Sequence, residues 1–313
     1  MRRNSFGAAG VEKLSDAELS EQLGRYQRQA RTSLRVGLLG IASGLIAAVA
    51  MQNTALKAVI VAVLFGGGLC CVLFLSSGAQ KKLKLLMQEQ LGNFFREELE
   101  KTFGPALHTL EMQIDRQLLE TLCLPEGKWE ECETESFREG SYHGLHFAAA
   151  NVHLYHVYEQ GHGKGSLGTS RNLVFKGLVL RCETCSPVPS AIRATARTES
   201  SPCGVMTGDE LFDRCFFVTA EREQDARALL ASQFTAWLSE LAQRVEGRLS
   251  AFCWKDRVFS LAIETDYGFA AVASNVDMRD LDAVRRSYST SLREMGKTLD
   301  LLLENKTLFA QQT

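Results

Sequence analysis

The sequence predicts an α+β fold: an N-terminal transmembrane helical hairpin, a helical stalk, and then a mainly antiparallel sheet with packed helices. Two apolar runs, residues 36–51 and 58–75, lie almost back to back near the start of the chain. With their flanking residues, both approach the roughly 17–25 residues that a helix needs to cross a bilayer. Beyond residue 125, strand-like and helix-like segments follow one another without a repeating βαβ rhythm, which favours α+β over a doubly wound sheet.

These patterns divide the chain into four predicted segments. Ser15 and Glu18 have the spacing of a capping box, which predicts the start of the first helix. The predicted segments are a cytoplasmic amphipathic N-terminal helix (residues 1–33), the transmembrane helical hairpin (34–78), the helical stalk (79–124) and a cytoplasmic α+β domain (125–313).

The distribution of basic residues predicts the orientation of the hairpin. Lys and Arg are concentrated before the first span and after the second, whereas the connecting turn offers only Lys57. Because an excess of Lys and Arg stays on the cytoplasmic side, we expect a multi-pass cell-membrane protein with two spans and both termini in the cytoplasm. The basic end of the first helix would then contact anionic headgroups of the lipid bilayer. The flanking residues are Arg2, Arg3, Lys13, Arg25, Arg28, Arg31, Arg35, Lys81, Lys82 and Lys84.

The apolar runs are also compatible with two alternatives to this hairpin. The sequence Ala48-Val49-Ala50 resembles a signal-peptide cleavage site, but the region before it runs for more than thirty residues and contains acidic side chains, which is unusual for a signal peptide. A buried helical hairpin of a soluble protein is the second alternative. Basic residues at both outer ends favour membrane spans instead.

Small residues predict close packing of the two spans. Gly40 and Gly44 form a G-x-x-x-G pattern that Ala48 continues, and residues 66–68 are three consecutive glycines. Small residues let transmembrane backbones approach closely. We expect this face to pack within the hairpin; a homo-oligomer through the same face is the alternative.

Composition excludes some classes of protein. The formal net charge is −2 over 313 residues, so the whole chain lacks the basic excess typical of nucleic-acid binding, and no nucleic acid partner is predicted. Nine cysteines, an odd number, argue against a disulfide framework. A cytoplasmic location agrees, because thiols stay reduced there.

Hydrophobic periodicity places the remaining elements. Helices are predicted over residues 81–103, from Pro105 to Leu122, over 223–245 and over 279–303. Strands are predicted over 143–158, 172–182 and 215–219, with a hairpin whose strands flank Lys255-Asp256 over 249–263. A glycine-rich turn is predicted at 161–168 and a loop at 186–208.

The order of four motifs in the carboxyl half resembles a bacterial family. They are FKGL at residues 175–178, LFDRCFFV at 211–218, QDARALL at 224–230 and FCWKDRVFSLAIE at 252–264. They resemble the uncharacterised two-pass membrane family known as domain of unknown function 3137. The resemblance implies a bacterial inner-membrane protein with two spans ahead of one cytoplasmic α+β domain. It implies no established activity and no catalytic residues.

One cysteine pair suggests a metal site. Cys182 and Cys185 form a C-x-x-C motif, and Cys203 could supply a third zinc ligand, with a strand histidine or Cys132 as a fourth. A redox pair would be expected at a helix N-terminus, whereas this one follows a strand. Incidental cysteines are the simpler interpretation, and no second C-x-x-C is present.

Other candidate chemistry is weaker. Five of the six histidines fall within residues 143–162, but alternation along a strand places them on opposite faces. The glycine loop lacks the phosphate-loop motif, and the dense carboxylates at 126–139 are typical of a solvent-exposed surface.

The sequence therefore predicts a non-enzymatic, membrane-anchored binding or scaffold protein with an unidentified membrane or cytoplasmic protein partner. A metal- or thiol-dependent activity at the Cys182/Cys185 loop is the alternative, and no cofactor other than that zinc is predicted.

Overall fold

The computed structural model describes residues 14–50, 54–105, 107–109, 116–121, 129–162, 166–197, 204–230 and 232–309. The chain divides into two compact units. We call Met1–Arg96 with Asn275–Arg286 the helical unit, and Glu97–Ser274 with Ser287–Thr313 the sheet unit. The first thirteen residues, which include Arg2, Arg3 and Lys13, and the predicted turn at 51–53 lie outside the described residues.

Two very long helices build most of the helical unit. Helix α1 spans Asp16–Ala50, and α2 (Thr54–Cys70) continues through a π-helical turn at Cys71–Ser76 into α3 (Ser77–Phe103). Within them, Asp16–Val49 and Ala58–Phe103 are long and apolar enough to cross a membrane. The chain thus has the predicted pair of apolar helices.

The predicted capping box opens α1. The Ser15 N–H donates to Glu18 Oε2 at 3.0 Å, and the Glu18 N–H donates to Ser15 Oγ at 3.3 Å. These reciprocal bonds satisfy main-chain donors that a helix start leaves unpaired. The Ser15 hydroxyl also donates to Glu18 Oε2 at 2.7 Å, and this bond, followed by the one from the Ser15 N–H, lowers the pKa of the Glu18 carboxyl.

An eight-stranded sheet forms the centre of the sheet unit, in the order β1-β2-β3-β4-β8-β7-β5-β6, and every neighbouring pair is antiparallel. The α+β class is therefore confirmed. The strands are β1 His108–Thr109, β2 Glu131–Tyr142, β3 Leu145–His162, β4 Ser166–Glu183, β5 Ile192–Ala196, β6 Phe216–Ala220, β7 Arg248–Lys255 and β8 Val258–Glu264. The helices are α4 Arg116–Thr121, α5 Glu210–Cys215, α6 Glu223–Leu229, α7 Ser232–Arg244 and α8 Leu281–Leu303.

Both faces of the central part of the sheet are covered. On one face Phe259 is fully buried, and the rings of Phe234, Trp237 and Phe309 lie within 6.4 Å of its centroid. The opposite face carries a second cluster that includes Val179 of β4 and Leu119 of α4. Three layers therefore enclose two apolar cores.

Several predicted elements are confirmed. The strand at 172–182 lies inside β4, the last helix is α8, and β7 pairs with β8 as the predicted hairpin. Asp256 takes a positive φ of 53° at its turn, a conformation that aspartate tolerates better than most side chains. The hairpin of β3 and β4 is present too, although its tip at residues 163–165 lies outside the described residues.

Other predictions were wrong in detail. The helix predicted from Pro105 is a strand at His108–Thr109, which pairs with β2, and is helical in the described residues only over α4. The loop predicted at 186–208 contains β5, and the helix at 223–245 is two helices separated at Leu230, whose backbone leaves the helical region (φ −81°, ψ 27°). Strand β2 was not predicted.

Candidate functional site

A seam of glycines brings the two long helices together. A Cβ atom built on Gly68 would lie 2.6 Å from the Gly37 carbonyl oxygen and 2.8 Å from Ile41 N. Gly40 and Gly44 face the same partner helix, with built Cβ contacts of 3.1 and 3.2 Å to main-chain atoms. The predicted packing within the hairpin is confirmed; a homo-oligomer stays a prediction.

The same pairing gathers the basic residues at one end. Gly37 lies against Gly68, and further along the pair the Leu14 N–H donates to Gln90 Oε1 at 3.2 Å. This antiparallel register places Lys81 and Lys82 level with residues 22–24 of α1. The described basic residues of the two flanks therefore form one cationic belt at a single end of the helix pair. Its members are Arg25, Arg28, Arg31, Arg35, Lys81, Lys82 and Lys84.

A cavity of about 200 Å³ opens inside this belt. One wall is a face of α1, and the other is the segment 275–280 that precedes α8. Both walls belong to the helical unit. The lining residues are Gly24, Gln27, Arg28, Arg31, Thr32, Arg35, Asp277 and Arg279.

Gln27 fixes the second wall to the first. Its side chain is only 9% exposed; its Nε2 donates to the Val276 carbonyl at 2.6 Å, and its Oε1 accepts the Met278 N–H at 3.1 Å. A side-chain amide has a donor and an acceptor on separate atoms, so Gln27 can pair with both main-chain groups at once. The absence of a side chain at Gly24 leaves space for the stem of Arg279, whose Cγ and Cδ a Cβ there would overlap.

Positive charge dominates the cavity. Four guanidinium groups face one carboxylate, that of Asp277. Arg279 Nε lies 3.0 Å from Asp277 Oδ1 and its Nη2 lies 2.5 Å from Oδ2. This pairing, with a smaller contribution from Arg31, lowers the pKa of Asp277 to about 2. Arg28 and Arg35 form no ion pair with any residue that the structure describes.

The predicted cysteine site is not brought together in the described part of the chain. The thiol of Cys182 is 1% exposed inside the sheet, and this burial raises its pKa. Cys185 Sγ points elsewhere and donates to the Thr307 carbonyl at 2.9 Å. Cys203 lies outside the described residues. Among those residues no three His, Cys, Asp or Glu side chains are grouped for a metal ion, so zinc at these cysteines stays a prediction.

Two of the clustered histidines, His143 and His156, lie at the surface of the sheet unit. His143 lies in the turn between β2 and β3 with a positive φ of 47°, and His156 Nδ1 lies 3.0 Å from Glu130 Oε2. Nearby, Arg171 of β4 stacks 4.1 Å over the ring of Tyr155 while pairing with Glu133 at 2.8 Å. These half-exposed ion pairs link neighbouring strands and are of modest energetic value.

Sequence reasoning missed half of the cavity. The spacing of Arg28, Arg31 and Arg35 places all three on one helical face, but the same spacing is typical of an ordinary basic flank. No pattern in the sequence indicates that Asp277 and Arg279, about 250 residues later, complete the site.

Comparisons with known proteins add little. No protein-family model matches the chain, and no curated protein does. Among solved structures, the chain is similar to the crystal structure of the mycobacterial trehalose monomycolate transport factor A. The sequences are 9% identical, the TM-score is 0.29, and the match covers 67% of this chain and 95% of that chain. A likeness at this level implies no shared function, and the resemblance to domain of unknown function 3137 stays a prediction.

Proposed function

We propose that this is a two-span protein of a bacterial inner membrane, with both termini in the cytoplasm, whose sheet unit is a non-enzymatic binding domain for a protein partner. The observation that carries the proposal is the cationic belt, which joins the basic residues of both helices at one end of the apolar pair. Basic residues are retained on the cytoplasmic side of membranes. The sheet unit follows that end along the chain.

The long hairpin of β3 and β4 supports a binding role. Each strand has 18 residues, so the hairpin is about 55–60 Å long at about 3.3 Å per residue. Along β4, strand β8 covers only residues Gly177–Glu183. Among the described residues, the outer edge of β4 before Lys176 therefore has no strand partner. Such an edge can accept an extended segment of another protein by β-augmentation.

Two experiments test the proposal. Reporter fusions at the N-terminus, at the C-terminus and after residue 52 read the topology directly. The expected result is cytoplasmic signals from both termini and an external signal from the turn. Any other pattern would contradict the orientation.

The binding role is tested by copurification from gently solubilised native membranes. The variant replaces residues 158–170 by Asn-Gly, which suits a two-residue β turn between Val157 and Arg171, a pair in the existing register. Loss of a near-stoichiometric partner with the shortened hairpin supports the proposal. A matched control is Leu211→Ser, which changes an apolar side chain that is 72% exposed elsewhere. A full-length protein that copurifies with no partner would contradict the binding role.

A further inference from the structure

We infer that the cationic cavity of the helical unit binds the phosphate group of an anionic phospholipid headgroup. This inference rests on the proposed membrane orientation and names one partner of the protein, a lipid of the cytoplasmic leaflet. Four observations carry it: the depth of the cavity, its unused donors, its fixed walls and its size.

The cavity lies at the depth of the headgroups. The apolar run of α1 begins at Val36, directly after Arg35. From Arg35 to Arg28 the helix rises about 10 Å, at about 1.5 Å per residue. The headgroup layer on each side of a bilayer is about 5–8 Å thick. The cavity therefore spans the layer in which lipid phosphates lie.

The donors in the cavity suit a phosphate. Guanidinium groups bind phosphate oxygens through paired N–H donors, which gives both energy and geometry. Arg279 uses part of its donor set on Asp277, whereas Arg28 and Arg35 have no carboxylate partner among the described residues. With four guanidinium groups against one carboxylate, a phosphate diester would neutralise part of the excess.

The walls are fixed before any ligand arrives. Gln27 holds the main chain of Val276 and Met278, and Asp277 holds the guanidinium of Arg279. A preorganised site loses less freedom on binding than a set of mobile surface arginines. The cavity, about 200 Å³, is smaller than the roughly 300–1,000 Å³ of pockets for drug-sized ligands. It suits a small polar headgroup whose acyl chains remain in the bilayer.

The competing explanation is a diffuse belt, in which every basic residue near the membrane contributes equally. A diffuse belt supplies about 1 kcal/mol per Lys or Arg, which is about fivefold in affinity. The belt and the cavity differ in one respect that can be measured. Only the cavity depends on Gly24, whose substitution displaces Arg279 and changes no charge.

The test uses full-length protein in an uncharged detergent. Native mass spectrometry measures binding of phosphatidylglycerol, with phosphatidylcholine and inorganic phosphate as further probes. The variants are Gly24→Ala, Arg28→Gln and the control Arg25→Gln, which removes the same charge from the same helix outside the cavity lining. Arg279→Gln leaves α1 unaltered and replaces Gly24→Ala in the comparison if that variant elutes as an aggregate. Because it removes one charge, a loss no larger than that of Arg25→Gln would then overturn the inference.

We expect phosphatidylglycerol to bind more tightly than phosphatidylcholine. Arg28→Gln should weaken it by about tenfold or more, Arg25→Gln by no more than the roughly fivefold of a diffuse belt, and Gly24→Ala by several-fold. If inorganic phosphate displaces the lipid from wild type and also binds more weakly to Gly24→Ala, the site takes soluble phosphate by the same chemistry. Wild-type binding by Gly24→Ala, together with equal losses in Arg25→Gln and Arg28→Gln, would overturn the inference. The reporter fusions measure the membrane orientation independently, so a negative result for lipid binding would not contradict the proposed topology.

Discussion

Replacing Gly68 by alanine is expected to push the two long helices apart. In the native packing, a Cβ on Gly68 would lie 2.6 Å from the Gly37 carbonyl oxygen and 2.8 Å from Ile41 N. Two positions earlier on the same helix, Gly66 has nothing within 4 Å of the built Cβ. Gly66→Ala therefore makes the same chemical change at a site that faces open space.

The size of the effect follows from these distances. A carbon and a carbonyl oxygen approach to about 3.3 Å without repulsion, so α1 and α2 must separate by roughly 0.7 Å at Gly68. A gap of about 0.5–1 Å loses about a quarter to a half of the dispersion energy between facing atoms. Overpacking of this kind destabilises the folded state by about 1–3 kcal/mol, and the better helix propensity of alanine offsets up to about 1 kcal/mol of this. The net expectation is a destabilisation of about 1–2 kcal/mol.

The assay is thermal denaturation of the full-length protein in mild detergent, followed by size-exclusion chromatography of the soluble fraction. For a folded unit of about 60–100 residues, 1 kcal/mol shifts the midpoint by about 4–8 °C. Gly68→Ala should lower the midpoint by at least that amount, whereas Gly66→Ala should leave it unchanged or raise it. Equal midpoints for the two variants would refute the claim that the glycine seam sets the distance between the helices.

Three further predictions concern the sheet unit. Asn151→Leu should lower the free energy of unfolding by about 2–4 kcal/mol, because two buried main-chain groups of Phe269 lose hydrogen-bond partners at 2.9 and 2.7 Å. Chemical denaturation followed by tryptophan fluorescence measures this change, and an unchanged denaturation midpoint would contradict it. Asp209→Ala should lower the free energy of unfolding by about 1 kcal/mol in the same assay, because two N–H groups of the first turn of α5 lose their acceptor. A variant that is as stable as the wild type or more stable would contradict this prediction. Burial and then Asp300 raise the pKa of Tyr142 to about 12, so this tyrosine stabilises the fold below its ordinary pKa of 10.0 and loses that contribution as the pH rises toward 12. Asp300→Asn should shift its phenolate absorbance to lower pH, and an unshifted titration excludes the carboxylate as a cause.

The elements that sequence could predict are those with strong periodicity. Helix α8 and the hairpin of β7 and β8 bury enough apolar side chains to be recognised in the sequence. The two long N-terminal helices are recognised by their continuous apolar runs. Strand β2 could not be predicted in this way, because its first residues are polar on both faces of the strand. Its odd positions, such as Glu131 and Glu133, are exposed, and the positions between them, Cys132 and Thr134, are small and only half-buried. A strand whose exposed and half-buried positions alternate without large apolar side chains has the same sequence pattern as a charged loop.

The candidate site was less predictable than the fold. Arginines at helical spacing are visible in the sequence, but the contact that turns them into a cavity joins Gln27 to Val276 and Met278. That contact is made by one amide side chain and two main-chain groups. Because almost any residue can supply such main-chain groups, the sequence does not show which residues take part. The break between α6 and α7 at Leu230 is similar, because neither glycine nor proline marks it.

The π-helical turn at Cys71–Ser76 has a consequence for the angular phase of the long second helix. A π turn holds one more residue than an α turn, so side chains after it are rotated by about 100° relative to an unbroken α-helix. The direction in which Gln90 points, toward Leu14, is therefore set separately from the direction in which Gly68 points. Deleting one residue of the turn would restore a regular α-helix and bring these two contacts out of phase. The length of this stretch is thus constrained even where its individual side chains are not.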